Sequence, residues 1–187
     1  MIDTRQRIIS AARLTVQAHG YNGLSFRELA KEVGIKSASI HHYFPTKGQL
    51  GGALAVRYTS DFAEYLDSLL AASLETDACI RKYTDVFRNT LLNENRMCLG
   101  GIMAAEYDEL PVEVRAEVVK FSEMNVRWLT QALSAGKGRK AKTALIADRA
   151  LAIYAAVQGA QLVSRSRNDV AIYDRTIDAY RSSGLLP

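Results

Sequence analysis

Cysteine, proline and long apolar runs are all scarce in this chain, and each scarcity argues against a class of protein. Only Cys79 and Cys98 occur among 187 residues, neither with metal-ligand spacing around it, which speaks against a disulfide scaffold and against a zinc site. The prolines are Pro45, Pro111 and Pro187, and the two internal ones fall where helices are expected to break. No run of about 20 apolar residues is present to cross a membrane. Asp3 and its polar neighbours stand where a secretory signal would need an unbroken apolar segment, so a cytoplasmic protein with no membrane partner is expected. A catalytic set is missing too. His41 and His42 are adjacent, His19 lies before a glycine, and neither a Ser/His/Asp set nor a phosphate loop is visible, so no enzyme, cofactor or metal is expected. No alternating apolar run bounded by hairpin turns appears either, and the expected fold is all-α. The length allows one substantial core, or a small head with a larger body.

What is present concentrates in residues 25–47, SFRELAKEVGIKSASIHHYFPTK. Ser25 with Glu28 three residues on has the spacing of a capping box. Phe26, Leu29, Ala30 and Val33 follow as a buried helical stripe. Gly34 can take a left-handed conformation and stop that helix. Ser37 is a plausible N-cap for a second helix, Ile40 and Phe44 share its inner face, and Pro45 ends it after about two turns. Its outward residues are Ser37, Ala38, Ser39, His41 and His42, which are small or hydrogen-bonding. Such a surface suits close approach to base edges in a major groove, and equally a polar surface hairpin.

Charge favours the first of these. Residues 1–50 hold seven Lys/Arg (Arg5, Arg7, Arg13, Arg27, Lys31, Lys36, Lys47) against Asp3, Glu28 and Glu32, while the remainder holds seventeen of each sign. The whole excess of +4 therefore lies in the first quarter of the chain, as expected of a nucleic-acid-binding head on a neutral trunk.

The run from Thr4 to Leu50, with AA near its start, HGY before the second helix, the LAKEVGI turn and YFPTK closing the third, resembles the N-terminal domain of TetR-like transcriptional repressors. The resemblance implies a three-helix helix-turn-helix domain over 1–46 and a ligand-binding and dimerisation bundle over 47–187, about nine helices in all. It makes Ser25, Arg27, Tyr43 and Lys47 phosphate contacts, and Lys36, Ser37, Ser39, His41 and His42 the base-facing or groove-edge set. The chain departs from the family at His41, where tyrosine is usual, and at Lys36, often serine or threonine, so an operator sequence does not carry over. The partners implied are a palindromic operator in double-stranded DNA, a small-molecule effector and a second copy of the chain.

Behind the head, Leu50, Leu54, Tyr58, Phe62, Tyr65 and Leu69 mark one long helix capped by Thr46. Gly51 and Gly52 in its first turns are expected either to pack closely against the first helix or to serve as a soft joint. Further helices are read over Asp77 to Leu92, over a short segment ending at Pro111, over Val112 to Leu133, and over 141–166 and 169–183. The loop at 135–140, AGKGRK, reads as a connection. Ala150, Ala152, Ala155, Ala156, Gly159 and Ala160 form a small-residue seam that would let a partner helix approach, or would pack within the chain.

Candidates to line an effector cavity are Tyr83, Phe87, Cys98, Met103, Tyr107, Phe121, Met124, Trp128, Tyr154 and Gln158, mostly apolar with a few polar groups. Cys98 begins the short helix, where backbone N–H groups would stabilise a thiolate. The run CLGGIMAAE resembles a branch of the same family in which a cysteine eight residues before a glutamate, here Glu106, senses electrophiles or oxidants. A buried packing cysteine is the alternative. The sequence thus reads as a homodimeric repressor released by a small molecule, with redox sensing through Cys98, or a helical ligand binder without DNA binding, as the other readings.

Overall fold

The computed structural model describes residues 3–135 and 143–187, and the described residues form nine α-helices and one short 3-10 turn. The helices are α1 (Thr4–His19), α2 (Phe26–Val33), α3 (Ser37–Tyr43), α4 (Lys47–Ala71), α5 (Thr76–Leu92), α6 (Leu99–Ala105), α7 (Val112–Ser134), α8 (Thr143–Ser166) and α9 (Val170–Ser182). The 3-10 turn covers Tyr107–Glu109 between α6 and α7. No helix of the described residues is long and apolar enough to cross a membrane. Most of the loop read at 135–140 lies outside the described residues.

Two compact units result, Met1–Ser60 with Cys98–Phe121, and Asp61–Met97 with Ser122–Pro187. The first unit holds the whole of α1, α2 and α3. The first unit also takes in the start of α4, all of α6 and the first part of α7.

In the first unit the core is apolar and tightly closed. Ile8, Ala12 and Val16 of α1, Leu29 of α2, Ile40 of α3 and Leu50 and Leu54 of α4 are all essentially inaccessible. Gly34 adopts the left-handed conformation with φ of 73°. The N–H of Ile35 then reaches the Ala30 carbonyl at 2.9 Å and that of Gly34 the Lys31 carbonyl at 3.2 Å, which satisfies the end of α2. Arg7 of α1 donates from its guanidinium to the carbonyl of Val33, tying α1 to that same end.

Three local expectations are corrected. The cap position of α3 is Lys36 rather than Ser37, which is already helical, and no side chain caps this end. Ser25 accepts the N–H of Glu28 at 3.5 Å, but the Glu28 carboxylate turns to Lys31 at 3.0 Å instead of reaching back, so the capping box is one-sided. A Cβ at Gly51 would stand 2.6 Å from the ring of Tyr21 and 3.0 Å from Val114, so the close approach is to the segment after α1 and to α7, not to α1 itself. Thr46 does cap α4, accepting the Gln49 N–H at 3.1 Å.

The second unit is built on packed rings. Tyr83 lies 5.4 Å from Trp128 and 5.1 Å from Phe87, with Phe62 against both Tyr83 and Phe87. Three of its buried aromatic side chains pair their polar groups: the Tyr83 hydroxyl donates to Asn125 at 3.0 Å, the Trp128 indole N–H to the Leu66 carbonyl at 2.7 Å, and the Tyr173 hydroxyl to the Thr84 carbonyl at 2.8 Å.

Candidate nucleic-acid interface

The head presents α3 with its inner face anchored and its outer face open. Ile40 and Phe44 are buried, whereas Lys36, Ser37, His41, His42 and Tyr43 are exposed and Ser39 is half-buried. The His41 and Phe26 rings pack at 66° with their centroids 4.8 Å apart, which brings the start of α2 against α3. His42 and Tyr43 pack edge to face at 5.4 Å. Ser25 sits at the N-cap of α2, and the side chain of Arg27, 82% exposed, stands one residue inside that helix. This arrangement offers hydroxyl, imidazole, guanidinium and ammonium groups with no large apolar side chain beyond the Tyr43 ring among them. Such groups can donate to phosphate oxygens and read base edges.

Lys47 is placed differently from the others. Its ammonium rests 4.7 Å from the centroid of the Tyr21 ring and donates to the Asn22 carbonyl at 3.3 Å. Partial burial lowers its pKa, with the negative charge of Glu106 opposing that shift. Tyr21 is itself buried, and burial with Glu113 nearby pushes its hydroxyl up to about 12.

Sequence reasoning did not foresee the residues that hold this corner. The N–H of Tyr21 donates to the Glu106 carboxylate at 2.6 Å, and the Asn22 side chain donates to Glu109. Arg5 lies over the ring of Phe44 at 5.0 Å. Contacts spanning some eighty residues leave no periodic signal, and Glu106 drew notice only through its spacing from Cys98.

With this geometry in view, likeness to known proteins decides the family. The sequence profile of "Bacterial regulatory proteins, tetR family" matches residues 8–54, and a TetR transcriptional regulator from Legionella pneumophila superposes with a TM-score of 0.90 at 30% identity, over 98% of each chain. The chain belongs to the TetR family of transcriptional regulators. Among curated relatives, the transcriptional regulator AcuR of Cereibacter sphaeroides is 30% identical over 117 residues, 61% of this chain and 53% of AcuR, so the chain spans about half the length of that relative. The HTH-type transcriptional repressor NemR of Escherichia coli K12 is 25% identical over 139 residues, covering 72% of this chain and 69% of NemR.

The candidate effector residues of this TetR-family regulator fall into both units. Cys98, Met103 and Phe121 are buried in the first, where Met103 and Phe121 line a cleft of about 10 Å³, room for at most a single water. Tyr107 is 41% exposed, with the Arg115 guanidinium 5.4 Å over its ring. In the second unit Tyr83, Phe87 and Trp128 are fully packed, and Met124, Tyr154 and Gln158 are half-buried. Met124 and Trp128 border a cleft of about 200 Å³ with Asp67 and Arg127, while one of about 380 Å³ opens among Leu69, Leu74, Thr76, Cys79 and Ala132.

Cys98 occupies the cap position of α6, where its sulfur lies 3.6 Å from the hydroxyl of fully buried Tyr58, and the residue is 1% exposed. Neither cysteine is in a disulfide. Burial and the neighbouring thiol together push the Tyr58 hydroxyl well above its ordinary value.

Proposed function

We propose that the protein is a cytoplasmic, homodimeric repressor that binds a palindromic operator through Ser25, Arg27, Lys36, Ser37, Ser39, His41, His42, Tyr43 and Lys47, and is released by a small-molecule effector. The observation that carries this reading is the anchored, outward-polar α3 behind the Gly34 turn, in the quarter of the chain that holds the basic excess. The effector site that best fits is the cleft bordered by Met124 and Trp128, since it joins apolar surface to the Asp67 and Arg127 charges. Release is a population shift and requires the effector to prefer a conformation that spaces the two heads wrongly. The test is a mobility shift on duplexes selected by the wild-type protein from a random pool. Arg27→Ala is expected to weaken binding across all sequences, and His42→Ala to alter which sequences bind. Unchanged binding in both variants would discredit the contact assignment.

A second reading, thiol sensing through Cys98, is favoured by its position at the start of the helix whose far end holds Tyr21 through Glu106. An alkylation rate no greater than that of a free thiol would sink it.

A further inference from the structure

We propose that Glu106 is a positioning residue for the Lys47 contact with the DNA backbone, acting through the Tyr21–Asn22 segment; this rests on the DNA-binding reading above. Five contacts carry it, all within one compact unit. The Tyr21 N–H donates to one Glu106 oxygen at 2.6 Å. The other oxygen would lie 2.3 Å from a Cβ at Gly20, so the carboxylate sits flush on backbone that only glycine, here at φ of 77°, leaves open. The Asn22 side chain donates to Glu109. Lys47 rests on what these acids hold, its ammonium over the Tyr21 ring and donating to the Asn22 carbonyl.

A lysine is a point charge on a stem of four carbons, and unsupported it samples many rotamers. Here the ring and carbonyl confine it beside the first turn of α4, with an N–H of its three left for a phosphate. The seat is only as firm as residues 21–22, which belong to a loop without helical hydrogen bonds of their own beyond the Leu24 N–H to the Tyr21 carbonyl. Glu106 and Glu109 supply the missing anchors from α6 and the turn after it. Glu106 thereby acts through Lys47 without itself facing the DNA, and a carboxylate so near the interface is retained for its acceptor oxygen despite its unfavourable charge.

The experiment is a double-mutant cycle on the full chain, read as affinity and salt dependence for a duplex that the wild type selects from a random pool. Glu106→Ala is expected to weaken binding by roughly tenfold and to flatten the slope of log affinity against log salt by about 0.9, the signature of one lost phosphate. In a Lys47→Ala background the same change is expected to cost less than about twofold. Glu106→Gln keeps an acceptor oxygen for the Tyr21 N–H and is expected to retain both the affinity and the slope of the wild type. If Glu106→Ala costs as much with Lys47 absent as with it present, the role is structural and the inference falls. Tighter binding in both Glu106 variants would mean the charge matters rather than the acceptor, and would equally overturn it. A wild type that selects no duplex defeats the DNA-binding reading and this inference together, whereas the additive cycle defeats this inference alone.

Discussion

A Cβ at Gly100 would stand 2.2 Å from Cδ1 of Phe121, so the first turn of α6 lies with its bare backbone against that ring. The ring has little room to retreat, being 2% exposed and 5.3 Å from the Tyr58 ring. Gly100→Ala would gain up to about 1 kcal/mol in helix propensity. Overpacking a closed core costs typically 1–3 kcal/mol and should win. The expected outcome is a loss of about 1–2 kcal/mol in urea unfolding, partly recovered in Gly100→Ala/Phe121→Leu. A Gly100→Ala protein more stable than the wild type would show that α6 slides freely over the ring.

Three tyrosines make the fold sensitive to alkali. Burial raises the hydroxyl pKa of Tyr21 to about 12, and also raises those of Tyr58 and Tyr173, so folding favours the protonated form of each. Such groups contribute stability that is complete below the unfolded value of about 10 and is lost as pH climbs toward the folded values. Unfolding free energy should therefore be flat in these groups up to about pH 10 and then fall, by roughly 1.4 kcal/mol per pH unit for each tyrosine. The Tyr21 hydroxyl is buried without a hydrogen-bond partner, so Tyr21→Phe should be neutral or stabilising by up to about 1 kcal/mol and should remove one tyrosine's share of the decline up to about pH 12. Denaturation series at several pH values test both statements; a Tyr21→Phe variant clearly less stable near neutrality would contradict the second.

Several helices were legible because their ends rest on chemistry visible in the chain. Gly34 turns left-handed at φ of 73°, Thr46 caps α4, and Pro111 sits directly before α7. Periodicity also tells which residues are buried, and Tyr83, Phe87 and Trp128 are indeed core. It does not tell what they are buried against, which is why one proposed cavity lining divides between two units. For the same reason the small residues of α8 separate: Ala150 and Ala160 pack inside their own unit, while Ala152, Ala155 and Gly159 face outward. The corner at Tyr21, Asn22, Glu106 and Glu109 was illegible because single hydrogen bonds between distant segments follow no local propensity.

The bond from Arg7 to the Val33 carbonyl places a guanidinium at the C-terminus of α2, where it complements the helix dipole and fills a carbonyl that no helical N–H reaches. Arg7→Met keeps the aliphatic stem and removes the donor. Because the side chain is exposed, the expected cost is modest, about 0.5–1 kcal/mol. The loss should be local: amide exchange at Gly34 and Ile35, whose N–H groups close the turn, should quicken more than exchange in α4. Equal acceleration throughout the unit would show that Arg7 supports the whole fold and not the turn.

On α8 a row of apolar side chains stands largely uncovered among the described residues. Leu145, Leu151, Leu162 and Val163 are 62%, 53%, 52% and 46% exposed, and a Cβ at Gly159 would meet nothing within 4 Å. An exposed apolar stripe of this kind marks an interaction surface, and a second copy of the chain related by a two-fold axis is the occupant proposed above. In such a symmetric contact each substitution counts twice. Fully burying a leucine is worth about 1.5–3 kcal/mol and Leu162 has about half of that surface left to bury, so Leu162→Glu, counted twice, should weaken association by at least about 1.5–3 kcal/mol, or roughly one to two orders of magnitude in the dimer constant. Helical content should be unchanged because the position is solvent-facing in the single chain. Sedimentation at micromolar concentration should then find monomers, and operator affinity should fall because two heads no longer bind as one body. A Leu162→Glu protein that still sediments as the wild-type dimer would place the seam elsewhere.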